Sequence, residues 1–119
     1  MESPEYEVRT YETIDGKVPF NEWLKSFRDR KGRSVIRTRI SRLQLGLFGD
    51  AKSVGEGVNE LRISFGPGYR IYYALEGKSV ILLLCGGDKS TQDKDIKLAK
   101  GYWNDYRRRD DDEESQLPR

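Results

Sequence analysis

The chain has 119 residues, 35% hydrophobic and 35% charged, which suits one domain with a small core and a surface dense in charge. With no histidine and a single cysteine, Cys85, it excludes Ser-His-Asp and Cys-His chemistry and an internal disulfide, and gives no basis for a metal site built on those side chains. The net charge of +2 hides a division: five of the 20 acids stand together at 110–114, and only one of the 22 bases lies beyond residue 109, so residues 1–109 hold 21 against 15, a net of +6. A basic body favours polyanionic partners, nucleic acid foremost. No apolar run approaches the roughly 18 residues of a membrane span, and the polar start MESPEYEVRT is not a signal peptide. A cytoplasmic protein without membrane association is expected.

Tyr6 to Thr13 alternates as a strand does. Asp15-Gly16-Lys17 is a turn, and Pro19 opens a helix whose Phe20, Trp23, Leu24 and Phe27 recur at i, i+3, i+4 and i+7. Lys31-Gly32 predicts its stop, with an end near Arg30. A second helix follows from Gly32-Arg33-Ser34, with Ile36, Ile40, Leu43 and Leu47 as its apolar stripe and Gly46 and Gly49 closing it. Asp50 to Asn59, rich in small turn formers, reads as a loop. Three strands come next: Leu61–Phe65, Tyr69–Leu75 and Val80–Leu84, the last a continuous apolar run of the kind buried on both faces. Ser90 or Thr91, with Asp93, caps a last helix whose buried stripe is Ile96, Ala99, Trp103 and Tyr106. From Arg107 onward only Leu117 is aliphatic, which predicts disorder. The expected organisation is one domain over 1–109 and a disordered acidic tail over 110–119. The order is β-α-α-β-β-β-α, an α+β architecture with a mainly antiparallel sheet, the helical hairpin and the C-terminal helix packed on one face.

Within the sheet, pairing Phe65 with Tyr69 around Gly66-Pro67-Gly68 puts Arg62, Ser64, Arg70 and Tyr72 on one face and makes the two arginines diagonal neighbours, about 7–8 Å apart at Cα. Two guanidiniums so placed repel each other unless an anion lies between them, and a phosphate fits their fork geometry. The bland alternative is that each pairs with a carboxylate such as Glu60 or Glu76. Gly86-Gly87-Asp88-Lys89-Ser90-Thr91 joins a buried strand to a helix start and reads as a glycine turn with a generic anion site beside Lys89. It lacks the Gly-x-x-x-x-Gly-Lys framework of a phosphate loop. Between residues 25 and 42, Lys25, Arg28, Arg30, Lys31, Arg33, Arg37, Arg39 and Arg42 face only one acid, Asp29. That charge ratio fits a phosphate-backbone footprint. No spacing of carboxylates predicts a metal site, and no cofactor is expected.

ELRISFGPGYRIYY followed by ILLLCGGDKSTQDKDIKLA resembles the RelE/ParE superfamily of toxin–antitoxin toxins, and more narrowly its HigB-like, Gp49-like addiction module killer branch. The resemblance spans Tyr6 to about Tyr106, and its specific part is Leu61-Arg62, Gly68-Tyr69-Arg70 and Gly86-Gly87-Asp88-Lys89 with Gln92. It implies a compact RelE-like α+β toxin neutralised by a helix-turn-helix antitoxin. The toxin would act as a metal-independent endoribonuclease on mRNA held by the ribosome, through attack of the ribose 2′-OH on the adjacent phosphate. By this resemblance Arg70 matches the phosphate-stabilising arginine, and Arg62 and Lys89 match two further basic positions. Relatives often place a tyrosine or histidine on the last helix as acid or base. Ile96 stands near that position here, so Tyr72, Asp93 and Asp95 are the remaining candidates, with Tyr72 grouped with the catalytic set. The same superfamily contains ParE-like members that trap DNA gyrase without RNA chemistry, and a regulatory RNA-binding module is a third possibility. The acidic tail is expected to shield the basic face.

Overall fold

The computed structural model describes residues 5–115. Five strands form one sheet: β1 (Glu7–Thr10), β2 (Ala51–Gly55), β3 (Val58–Ile63), β4 (Tyr69–Glu76) and β5 (Val80–Asp88), in spatial order β1-β5-β4-β3-β2. β1 runs parallel to β5 and every other pair is antiparallel. The α+β class and the mainly antiparallel sheet are as expected.

Three helices cover the sheet, and they do so on both faces. α1 (Pro19–Lys25) and α2 (Arg30–Gln44) lie on one side, where Phe20, Ile36 and Leu43 pack with Leu61, Ile63, Ile71, Tyr73, Ile81 and Leu83. α3 (Gln92–Ser115) lies on the other, where Ala99 and Trp103 pack with Tyr11, Val58, Tyr72, Ala74, Leu82, Leu84 and Cys85. The expectation of all helices on one face is therefore corrected. β4 and β5 are apolar on alternate residues of both faces, and each fully buried Leu or Ile is worth about 1.5–3 kcal/mol, so leaving either face uncovered would be costly.

Element ends differ from the expectation for local reasons. α1 stops at Lys25, where the Ser26 hydroxyl donates back to the Trp23 carbonyl (2.6 Å). α2 starts two residues before Gly32, because Asp29 caps it by accepting from the Lys31 N–H (3.0 Å). Gly32 is thus not a helix stop but a close contact: a Cβ there would stand 3.2 Å from the Tyr69 hydroxyl. Leu47 lies past the helix end and is 58% exposed. The stretch 50–59 is no loop but contains β2, an edge strand with a bulge between Ser53 and Gly55. Its return turn is left-handed at Gly55, Glu56 and Gly57 in succession.

The β3–β4 register also shifts. Ile63, not Phe65, pairs with Tyr69, so Ser64 leaves the sheet for the turn and is exposed. The shift is two residues, which preserves the faces. β5 runs on to Asp88, so Gly86 and Gly87 are inside the strand rather than in a turn. A Cβ on Gly86 would strike the Trp23 indole on the α1 side, and one on Gly87 the Asp95 carboxylate on the α3 side. The helix cap is Asp88, which accepts from the Ser90 N–H (2.8 Å) and heads a short 3₁₀ turn, Lys89–Thr91. Thr91, the residue before α3, closes the box by accepting from the Asp88 N–H (3.2 Å). α3 continues through 107–115, so helix replaces the disorder expected from Arg107 and from the start of the 110–119 tail; residues 116–119 of that tail lie outside the described residues.

Candidate anion-binding site

The site forms at the sheet end shared by the β3–β4 turn and the last residues of β5. Arg62 and Arg70 are direct cross-strand partners, and Arg70 pairs in turn with Gly87. Direct opposition puts their Cα atoms about 4.5–5.5 Å apart, closer than the diagonal spacing expected from the sequence. Like charges directly opposite each other are unfavourable in a sheet, and a third group answers that here. Glu60, two residues before Arg62 on the same face and fully buried, accepts from Arg62 Nε (3.0 Å), Tyr72 Oη (3.0 Å) and Gln92 Nε2 (2.8 Å). Arg70 Nε lies 4.0 Å from Glu60 Oε1. It is buried and has no hydrogen-bond partner among the described residues. Arg70 Nη1 donates to the carbonyls of Gly68 (3.1 Å) and Tyr69 (3.2 Å). Burial alone would raise the Glu60 carboxyl, but the bonds from Gln92, Arg62 and Tyr72 together hold it below the ordinary glutamate value.

Lys89 completes the cluster. A Cβ on Gly68 would stand 3.4 Å from Arg70 Nη1 and 3.5 Å from Lys89 Cβ, so this glycine lies between the Arg70 guanidinium and the base of the Lys89 side chain. Lys89 itself is exposed. The Asp88 carboxyl is held low chiefly by the Ser90 hydroxyl, with Arg70 adding to the effect. Arg62, Arg70 and Lys89 thus stand near Glu60 and Asp88, with the Asp95 carboxyl buried beneath Gly87. Arg62 keeps 35% of its side-chain surface exposed and Arg70 12%, so an anion meets Arg62 and Lys89 first.

The sequence-predicted residues separate into those the fold gathers and those it does not. Arg62, Arg70 and Lys89 come together. Tyr72 is close, yet fully buried, its hydroxyl spent on Glu60 and its phenol pushed far up by burial and that carboxylate. It supports the site from beneath, and its hydroxyl does not reach the surface. Asp95 is buried under Gly87, accepts from the Thr91 hydroxyl and is raised by burial, whereas Asp93 is exposed in the first turn of α3.

The basic residues of α2 lie on the opposite face of the sheet. Lys31 reaches the hairpin, 5.9 Å over the Phe65 ring, and so rims the same sheet end. Arg28, Arg30, Arg37 and Arg42 are exposed. Arg33 and Arg39 have structural work: Arg33 Nη1 donates to the Phe27 carbonyl (2.6 Å) and Arg39 Nη2 to that of Phe48 (3.4 Å). The acidic run lies at the far end of α3: Asp110 is 18 residues from Gln92, about 27 Å of helix. Tyr106 Oη donates to Glu76 there, at the opposite end of β4 (2.5 Å).

The sequence offered Glu60 only as a possible ion-pair partner of the arginines and Gln92 only as part of the family resemblance, with no contact assigned to it. The signal for Glu60 was strand parity, because residues two apart share a face. Nothing in the sequence signalled that Gln92 would reach the same carboxylate. Among the described residues, no three His, Cys, Asp or Glu side chains gather as a metal site would require, and no helix is long and apolar enough to cross a membrane.

Residues 22–103, which contain the whole cluster, match the family model described as Phage derived protein Gp49-like (DUF891). The chain is also 53% identical over 87 residues to a Haemophilus influenzae protein described as an uncharacterized protein, an alignment that covers 73% of this chain and 88% of that one.

Proposed function

This chain belongs to the Gp49-like family of phage-derived proteins, within the RelE/HigB-like toxin superfamily, and from that premise we propose that it is the toxin of a type II toxin–antitoxin module that cuts mRNA on the ribosome. Members of the family are commonly toxins of such modules, which supports the toxin role. The observation that carries the nuclease reading is the direct opposition of Arg62 and Arg70, with Lys89 across Gly68.

In this reading the ribose 2′-oxygen attacks the adjacent phosphorus and the 5′-oxygen leaves, giving a 2′,3′-cyclic phosphate and a 5′-hydroxyl. The phosphoryl oxygens gain charge on the way to the transition state. Arg62 and Arg70 meet that charge with donors already held in place, which is where electrostatic catalysis is strongest, and the exposed Lys89 adds a third cation. Protons must leave the 2′-OH and reach the 5′-oxygen. Of the candidate bases, Asp93 is the exposed one, and the ribosome supplies the remaining alignment of the message. The exposed Arg28, Arg30, Lys31, Arg37 and Arg42 add attraction for phosphate backbones. The proposed partners are mRNA on the ribosome and a small helix-turn-helix antitoxin, in the cytoplasm.

The test is expression of the toxin alone, followed by mapping of 5′ ends on translated messages. Cuts confined to translated frames, and absent with Arg70→Ala, support the reading. Intact messages with double-strand breaks in DNA support gyrase trapping instead, and neither lesion supports a regulatory module.

A further inference from the structure

We propose that Glu60 is a positioning residue that holds Arg62 and Arg70 as one rigid fork, so that it governs the rate of phosphate chemistry and not the capture of RNA. This rests on the nuclease reading above. A carboxylate beside an anion site is at first sight a defect, since it repels the phosphate the arginines attract. Its placement argues otherwise. Glu60 is fully buried, whereas Arg62 and Lys89 reach the surface, so the carboxylate stands behind the cations and not between them and solvent.

It also engages Arg62 through Nε rather than through the terminal nitrogens, at 3.0 Å, and lies 4.0 Å from the Nε of Arg70. The bond at Nε fixes the plane of Arg62 while leaving its outer N–H groups available for a phosphate, and the same carboxylate sets its charge beside the unbonded Nε of Arg70. The carboxylate is itself over-determined. Tyr72 reaches it from β4 and Gln92 from the first turn of α3, at 3.0 and 2.8 Å. The bond from Gln92 ties the start of α3 to β3. Because Lys89 lies three residues before Gln92, that bond also anchors the turn that carries Lys89. One buried carboxylate thereby bonds Arg62, faces Arg70 and is tied to the helix start that follows Lys89.

A residue with this role has a signature that a merely structural one lacks. Glu60→Gln keeps shape and one acceptor oxygen but removes the charge that orients the guanidiniums. Cleavage of ribosome-bound mRNA in single turnover is expected to fall about 10- to 100-fold, the scale of a small misalignment. Affinity for a short single-stranded RNA is expected to stay equal or tighten, since a negative charge has gone. In an Arg62→Ala background the same substitution should cost far less than it does alone, because Glu60 acts through the arginine. Gln92→Ala, at a partly exposed helix start, provides a milder probe that does not depend on the folding of Glu60→Gln: several-fold slower cleavage with unchanged RNA affinity supports the inference. A folded Glu60→Gln that cleaves at the wild-type rate, an equal loss of affinity and cleavage, full additivity with Arg62→Ala, or wild-type cleavage by Gln92→Ala overturns it. Wild-type protein that cuts no translated mRNA sinks the nuclease reading and this inference with it. Wild-type cleavage alongside an indifferent Glu60→Gln sinks this inference alone.

Discussion

Arg62 stands directly across from Arg70 on neighbouring strands, and the buried Glu60 beneath them accepts from the first and lies 4.0 Å from the second. Neither guanidinium is interchangeable with an ammonium in that arrangement. Arg70→Lys keeps the charge but loses the fork and the two bonds to the carbonyls of Gly68 and Tyr69. The expected result is a loss of cleavage approaching the roughly 10²–10³-fold cost of removing a transition-state donor. Single-turnover kinetics of Arg70→Lys beside Arg70→Ala check it, and equal activity of Arg70→Lys and wild type would contradict it.

The glycine pair at the end of β5 acts through packing. Gly86→Ala drives a methyl into the Trp23 ring, and Gly87→Ala drives one into the Asp95 carboxylate. Each is expected to destabilise by about 1–3 kcal/mol, the range for overpacking. Urea unfolding of the two variants measures it. Midpoints equal to the wild type would show that the faces of β5 are looser than described.

Acid should undo part of the site's stability. Glu60 titrates below the ordinary glutamate value of 4.5 in the folded chain, so its contribution is complete above 4.5 and is lost as pH falls through the lower folded value. Asp95 runs the other way. Its folded value is raised above 3.8, so its contribution is present below 3.8 and is lost as pH rises through the folded value. Glu60→Gln should therefore flatten the acid limb of stability against pH, and Asp95→Asn should make the protein more stable at neutral pH. Chemical denaturation between about pH 3 and 7 reads both slopes.

The arginines of α2 should divide into two classes. Arg37→Glu, at an exposed position, is expected to weaken RNA or ribosome binding and lower its salt dependence, with the melting temperature unchanged. Arg33→Ala removes the donor to the Phe27 carbonyl and is expected to cost about 1–2 kcal/mol of stability. Binding isotherms at several salt concentrations, paired with thermal melts, separate the two.

Much of this was legible from local pattern. The alternation of Tyr6 to Thr13, the stripe of Ile36, Ile40 and Leu43, and that of Ile96, Ala99, Trp103 and Tyr106 all follow single-element periodicity. The arginine face survived a wrong register because the error was two residues, an even number. What escaped is not written in the apolar pattern of its own segment. β2 is an edge strand of small residues that only its pairing with β3 makes extended. The helix beyond Arg107 carries no apolar stripe; it is tied back to the end of β1 by Arg109, which donates to the Glu12 carbonyl (2.6 Å) and lies over the Tyr11 ring. The unbroken apolar run of β5 implies two covered faces, which a one-sided arrangement of helices contradicts. The acidic run at the far end of α3 now stands about 27 Å from the start of that helix, too far for Asp110 to shield the cations at the site in its described position.

The most direct test of the central claim is primer extension on translated mRNA after induction of wild-type and Arg70→Ala protein at matched levels. Cuts at ribosome-occupied positions with the wild type, and their disappearance with the variant while its melting temperature holds, are the predicted result. Uncut messages with the wild type, or equal cutting by both proteins, would contradict it.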